Sequence, residues 1–222
     1  MANILILGTG NAQTDFIKYC KDVGYTVHAC SYKKEGRGIE HADYFELIDI
    51  KNASAVENYA KDNGIDLIYS VGSDIAMPSV AAVSTNLDLN SFISEETAKI
   101  CNNKNLLRRE LSQLKDGKYS VDYRPLSDFS DAGSWRKFPA IVKPADSQGQ
   151  RGITFIKSAG EIKPAFEIAK QYSPTNKAII EHYIDGSEIS LNSYIIDGES
   201  QFMFVTDRKS FSEYPGGIIK SH

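Results

Sequence analysis

Ile4-Leu5-Ile6-Leu7, after Asn3, is an unbroken apolar run that ends at Gly8-Thr9-Gly10. A strand that is apolar at every position must be buried on both faces, as in a parallel sheet covered by helices. The residues that follow keep that rhythm. A helical stretch runs to Gly24, residues 25–31 read as a second strand, and 44–48 as a short third. Residues 53–63 are helical and closed by Gly64, which tolerates the positive φ of a helix C-terminal cap. Residues 66–71 form another buried strand, and Gly72-Ser73-Asp74 leads into an Ala-rich helix. Strands alternating with helices of this length predict an α/β domain over residues 1–90, with a parallel, doubly wound, Rossmann-like sheet.

From Ser91 the rhythm changes. Ser94 ahead of Glu95 and Glu96 predicts a helix start, with acids near its positive end. A second helix runs from about 103 to 114, with Leu107 and Leu111 on one face, and a polar turn follows at 115–119. Strands are expected at 138–143, 153–156, 178–181, 188–196 and 201–206, the last two joined by the hairpin dipeptide Asp197-Gly198. Ser158-Ala159-Gly160-Glu161 has capping-box spacing ahead of Ile162, Ala165, Phe166 and Ala169, although Pro164 argues for a later helix start. Residues 91–222 therefore read as a second, α+β domain.

Composition narrows the class. Hydrophobic residues make up 41% and charged residues 24% of the 222, the balance of an ordinary globular protein. No run approaches the ~18 apolar residues that a membrane span needs, so no membrane partner is expected. The start Met-Ala-Asn-Ile offers neither the basic region nor the long apolar region of a signal peptide. Cys20, Cys30 and Cys101 are odd in number and lack a CxxC pair, which predicts reduced, buried thiols in a cytoplasmic protein. With 25 Lys+Arg against 29 Asp+Glu, the electrostatic footprint of a nucleic-acid partner is absent.

Three segments carry chemistry. Gly8-Thr9-Gly10-Asn11-Ala12-Gln13 has two of the three glycines of a dinucleotide fingerprint, with Gln13 in place of the third. The second strand ends Cys30-Ser31-Tyr32 without the acid that holds a NAD ribose, though Lys33 and Lys34 would suit a 2′-phosphate. A tight strand-to-helix turn explains the same glycines. In Val142-Lys143-Pro144-Ala145-Asp146-Ser147-Gln148-Gly149-Gln150-Arg151-Gly152-Ile153, a buried strand delivers a lysine to a small-residue loop, and a second strand follows. Glycines there let backbone N–H groups approach phosphate oxygens, and the lysine adds a point charge. The lysine precedes the glycines, so this is no Walker A loop, and a plain hairpin fits it equally well. Glu181-His182-Tyr183-Ile184-Asp185-Gly186-Ser187-Glu188 sets two glutamates around a glycine turn, suited to an exocyclic amine and to vicinal ribose hydroxyls. Asn103-Lys104-Asn105 offers a second cation at a helix start.

Lys104, then Lys143 with its Ser-Gln-Gly-Gln-Arg-Gly loop, then Glu-x-x-x-x-Gly-x-Glu at residues 181–188, resemble in that order the ATP-grasp superfamily. The likeness is to the group that includes carbamoyl-phosphate synthase large subunits, biotin carboxylase and glycinamide-ribonucleotide-type ligases. It covers most of the chain, and residues 1–90 look like the α/β domain that precedes the grasp in many members. The resemblance implies a lid subdomain at about 115–184 and the start of a C-terminal subdomain at 185–222. It implies that Lys104 and Lys143 contact the phosphates of ATP, and that Ser147, Gln148, Gly149 and Gly152 close over them. Glu181 would take the adenine amino group, Tyr183 and Ile184 would form a backbone hinge, and Glu188 would hold the ribose.

The implied activity is that of an ATP-dependent ligase. ATP phosphorylates a carboxylate to an acyl phosphate, and a nucleophile, usually an amine, displaces phosphate. Phosphorylation removes the carboxylate's charge and supplies a leaving group. Substrate candidates are Gly8, Gly10, Gln13, Ser73 and Asp74, at the carboxyl ends of parallel strands. Arg208 and Lys209 are further candidates, although a solvated turn explains them equally well. The partners are small-molecule carboxylates and amines, with a homodimer possible in solution. The family's Mg²⁺ ligands are an acid on one late strand and a Glu-x-Asn element on the next. Asp197, Glu199, Asp207 and Glu213 do not follow that pattern, so the Mg²⁺ ligands are expected beyond residue 222. The closing Ile218-Ile219 stretch after Pro215-Gly216-Gly217 leads to the expectation of an N-terminal piece of a longer protein, or a product that ends early. A nucleotide-binding module without metal chemistry is the alternative, and an NADP-linked oxidoreductase a more distant one.

Overall fold

The computed structural model describes residues 1–211 and 219–221. Glu213, Pro215, Gly216, Gly217 and Ile218 lie outside the described residues. The chain divides into two compact units, Met1–Asn102 and Asn103–His222. That division falls later than 90, because the helix at Glu95–Asn102 packs against the one before it and stays with the first unit.

The first unit contains β1 (Asn3–Leu7), α1 (Asn11–Asp22), β2 (Thr26–Ser31), β3 (Tyr44–Leu47), α2 (Ala53–Asp62), β4 (Leu67–Tyr69), α3 (Met77–Asn86) and α4 (Glu95–Asn102). The strands form one parallel sheet in the order β3-β2-β1-β4. Residues of β1 alternate between two cores, as an all-apolar strand requires. Leu5 and Leu7 pack with Val56 and Ala60 of α2 and Val80 and Val83 of α3. Ile4 and Ile6 pack with Ile17 and Cys20 of α1 on the other face. The sheet is doubly wound. Ser94 caps α4 by accepting from the Thr97 N–H at 3.1 Å. Of the cysteines, Cys20 and Cys30 are buried, but Cys101 is exposed, correcting the expectation that all three are buried. Its helix buries only Ala98, so the last turn faces solvent.

The second unit begins with α5 (Lys104–Gln113) and continues through β5 (Tyr123–Leu126), β6 (Ala140–Pro144), β7 (Thr154–Ile156), α6 (Ile162–Gln171) and β8 (Ala178–His182). Its antiparallel sheet has the order β5-β8-β6-β7. Ala140 and Val142 of β6 and Ala178 and Ile180 of β8 turn one face toward Ala165, Phe166 and Ala169 of α6. The opposite face carries Ile141, Lys143 and Glu181. Pro164 stands in the first turn of α6, where its missing N–H has no intrahelical partner to lose. After this sheet, β9 (Ile189–Ile196) and β10 (Glu199–Asp207) form an antiparallel hairpin, and β11 (Lys209–Ser210) pairs with β12 (Ile219–Ser221). The β9–β10 turn has φ of 50° at Asp197 and 81° at Gly198, the left-handed pair that a two-residue hairpin needs.

One glycine of the first unit is fixed by close approach. Gly36 has φ 98° and ψ 143°, a region reserved in practice for glycine. A Cβ there would collide with the Thr9 carbonyl, its carbon at 2.7 Å. The same contact is secured by Thr9 Oγ1 donating to the Glu35 carbonyl at 2.6 Å and by the Gly38 N–H donating to the Thr9 carbonyl at 3.1 Å. Gly36→Ala is therefore expected to destabilise the protein by about 3 kcal/mol, backbone strain adding to the clash. Chemical denaturation read by circular dichroism checks this, and an unchanged midpoint contradicts it.

Candidate functional site

The α6-distal face of the second sheet gathers the charges. In the β6–β8 register Glu181 stands opposite Ile141, and Lys143 is two residues further along the same face. That diagonal brings Lys143 Nζ within 2.6 Å of Glu181 Oε2. From α5, Arg108 completes the arrangement, its Nε donating to Glu181 Oε1 at 2.7 Å and its Nη2 to Oε2 at 3.3 Å. Glu181 is only 6% exposed. Burial pushes its carboxyl upward, but the Arg108 hydrogen bond and the Lys143 charge outweigh burial and hold it below the ordinary glutamate range.

Helix α5 supplies a second contact one turn earlier. Asn103 caps it, its side chain accepting from the N–H groups of Asn105 at 3.0 Å and Leu106 at 3.2 Å. The Lys104 N–H donates to the Ala145 carbonyl at 2.8 Å, and Lys104 Nζ donates to the Ser147 carbonyl at 2.6 Å. Burial, then the nearby Lys143 charge, lowers the Lys104 pKa. Lys104 and Lys143 are thus two cations close enough to repel, beside a glycine loop. Such a pair suits a polyanion.

The loop itself is built for tight curvature. Gly149, Gln150 and Gly152 all have positive φ, of 69°, 58° and 71°. A Cβ on Gly152 would lie 2.7 Å from Tyr172 Cδ2 and 3.1 Å from Pro144 Cγ, so Gly152 is held by packing, whereas Gly149 faces open space. The loop's first end is fastened by Asp146, which accepts from Ser173 Oγ at 2.5 Å and Thr175 Oγ1 at 2.6 Å. Lys104, Lys143, Ser147 and Glu181 therefore converge, and Gln148, Gly149 and Gly152 continue from them.

Elsewhere the expectations meet a different geometry. The Glu181 carboxylate, read in sequence as an acceptor for an amine, already has two cationic partners. The Tyr183 N–H, read as a hinge donor, donates to the Pro139 carbonyl at 3.0 Å, and the Tyr183 ring meets Phe155 edge-on. Ile184 is exposed. Glu188 lies just before β9. Its carbonyl accepts from the Arg208 N–H at 2.9 Å, and its carboxylate lies 3.5 Å from Arg208 Nη1. Lys209 opens β11. Among the described residues, no group of three His, Cys, Asp or Glu side chains is placed to hold a metal ion.

In the first unit the strand order reverses direction between β1 and β4, the position at which open α/β sheets accept ligands. Gln13 ties the two loops there. Its Oε1 accepts from the Gly10 N–H at 3.0 Å and its Nε2 donates to the Val71 carbonyl. Gly8, Gly10, Gln13 and the strand end before Gly72-Ser73-Asp74 are thereby held together. Gln13 is buried and spends its amide on backbone groups, so it shapes this crevice from beneath.

Two contributors escaped the sequence reading. Arg108 sits four residues after Lys104 on one helix face, a spacing that a search for paired cations on α5 would have found. Asp146 gave no local signal, because its partners lie beyond α6.

A family model described as an ATP-grasp domain matches residues 136–215, the stretch that holds Lys143, the glycine loop, Glu181 and Glu188. That stretch is similar to an ATP-grasp domain. It is 28% identical to formate-dependent phosphoribosylglycinamide formyltransferase of Bacteroides thetaiotaomicron, over 86% of this chain and 50% of that protein. The chain spans about half the length of the curated relatives it matches. Its fold is similar to Staphylococcus aureus N5-carboxyaminoimidazole synthetase complexed with ADP, with TM-score 0.76, 16% identity, and coverage of 98% of this chain and 56% of that one. It is also similar to a Campylobacter jejuni biotin carboxylase, with TM-score 0.63, 17% identity, and coverage of 85% and 46%. The ATP-grasp resemblance and the pairing of a doubly wound domain with an α+β domain both hold.

Because Glu181 titrates below the ordinary carboxyl range, its contribution to stability is full above about pH 4.3 and is lost as pH falls through its folded value. Glu181→Gln leaves Arg108 and Lys143 without their anion and is expected to cost about 3 kcal/mol at pH 7. The gap between wild type and variant should be widest near neutrality and narrow below about pH 4.3. Thermal melts at pH 7, 5 and 3.5 check this, and a gap that widens on acidification contradicts it.

Proposed function

We propose that this chain is the ATP-binding portion of an ATP-grasp ligase that joins a small-molecule carboxylate to an amine or other nitrogen nucleophile. ATP, when bound, supplies the phosphoryl group that turns the carboxylate into an acyl phosphate, from which the nitrogen displaces phosphate. The observation that carries the reading is the convergence of Lys104 and Lys143 on the start of the Ser147–Gly152 glycine loop, in the unit whose sequence matches the ATP-grasp model.

The residues present fit a triphosphate. Lys143 presents its ammonium at the end of a buried strand, and Lys104 brings another from the first turn of α5. Ser147, Gln148, Gly149 and Gly152 form the cover, with Gly149 open for backbone approach to an anion. Glu188 is the ribose acceptor, exposed at the root of β9 and offered beside Arg208. The adenine edge is read by backbone groups around Tyr183 and Ile184 other than the Tyr183 N–H. Glu181 acts on the nucleotide through Lys143. Catalysis of this kind is largely positioning and charge neutralisation, which these side chains supply. The metal that ATP chemistry uses has no donor set among the described residues, and no step is assigned to it.

The Gln13 crevice of the first unit, with Gly8, Gly10, Ser73 and Asp74, is assigned to the non-nucleotide substrate. Arg208 is assigned to Glu188, and Lys209 has no assigned contact. The buried thiols suit a reducing cytoplasm. The likeness to carbamoyl-phosphate synthase large subunits belongs to this reading too.

Calorimetric titration of the chain with ATP should give saturable binding. Lys143→Ala and Glu188→Ala should each weaken it about tenfold or more, the usual cost of a charged hydrogen bond. NADPH should leave protein emission unquenched. Binding of NADPH without ATP overturns the reading. ATP binding with no phosphate release across a panel of carboxylates favours a nucleotide-binding module.

A further inference from the structure

We infer that Arg108 is a positioning residue that keeps Lys143 available to phosphate by neutralising Glu181. The inference rests on the nucleotide reading above and assigns a task to a side chain outside the ATP-contacting motifs. Glu181 is a single buried carboxylate between two cations. Its two oxygens are used unequally. Oε1 is held by Arg108 alone, whereas Oε2 receives both the Lys143 ammonium and the second guanidinium nitrogen.

The charge count explains why the guanidinium is needed. Arg108, Lys143 and Glu181 sum to one positive charge, and the two-point contact of Arg108 assigns the neutralisation of Glu181 to the guanidinium. Lys143 is then oriented by Glu181 without being cancelled by it, and its charge remains for an incoming anion. Without Arg108, the buried carboxylate keeps Lys143 as its one direct cationic partner among the described residues. A one-to-one ion pair would bind Lys143 and remove its charge from the loop. Lys104 acts on Glu181 only through its charge, since its ammonium donates to the Ser147 carbonyl and makes no direct pair with the carboxylate. The spacing places both tasks on one helix: position 104 holds the loop backbone and position 108, one turn later, holds the strand carboxylate.

The test compares wild type with Arg108→Met and Arg108→Lys. In titrations with ATP, ADP and adenosine, Arg108→Met should weaken ATP and ADP about ten- to hundredfold while leaving adenosine within about twofold, and Arg108→Lys, which restores the charge without the two-point contact, should recover part of the loss. Equal weakening of all three ligands, or a lysine variant as poor as the methionine variant, overturns the inference in favour of a merely structural role. A second measurement needs no nucleotide. Mass-spectrometric mapping of Lys143 acylation by a water-soluble succinimidyl ester should show labelling slowed severalfold in Arg108→Met, because Glu181 then holds the amine alone. Unaltered Lys143 labelling overturns the inference. Slowed labelling in a protein that binds no ATP in any form upholds the coupling and rejects the nucleotide reading. Circular dichroism confirms that the variants compared are folded.

Discussion

Burying one carboxylate sets the terms for the second unit. An ionised Glu181 among apolar strands would be untenable alone, since desolvation of an isolated charge costs several kcal/mol or more. The fold meets that cost with cations drawn from a neighbouring strand and from a helix distant in sequence. Everything around the site follows from this demand. The β6–β8 register must place Lys143 diagonally from Glu181, and α5 must lie where Arg108 can reach across. The Asn103 cap and the Lys104 N–H bond to Ala145 fix the start of that helix, and hence the position of its next turn.

The first unit solves a related problem with neutral groups. Its crevice between β1 and β4 is held by the Gln13 amide, which satisfies one donor and one acceptor from two loops, and by the Ser70 hydroxyl, which donates to the Leu7 carbonyl. The glycine spacing that resembles a dinucleotide fingerprint here closes a turn whose Gly10 N–H is already used. A third glycine at position 13 would have left both backbone groups without partners. The residue that breaks the fingerprint is the one that builds the crevice.

What the sequence made legible was local. The all-apolar β1, the Asp197-Gly198 turn, the Ser94 cap and the lysine–glycine order around 143–152 are each written within a few residues, and each could be read. β5 could not, because Pro125 argues against a strand. It is tolerated there because β5 forms the sheet edge, pairing with β8 alone. Chemistry-bearing residues were visible by type, but their partners were not. That Glu181 is paired, that Tyr183 has spent its N–H, and that Arg208 belongs with Glu188 are facts of long-range register. Single-sequence patterns hold no record of such pairings.

The β9–β10 hairpin differs from the four-stranded sheet in what supports it within this chain. Leu191, Tyr194, Ile195, Phe202, Met203, Phe204 and Val205 are all exposed, so both of its faces gain little from burial and its order rests on cross-strand bonds and the stacked Tyr194, Phe202 and Phe204 rings. A two-stranded ribbon is marginal by itself, so within the residues present it leans on strand pairing more than on a core. Glu188 and Arg208 sit at its root, while Lys143 and Glu181 are set in a packed four-stranded sheet. A ligand spanning these residues would draw on two kinds of support, a packed core beneath Lys143 and Glu181 and strand pairing beneath Glu188 and Arg208.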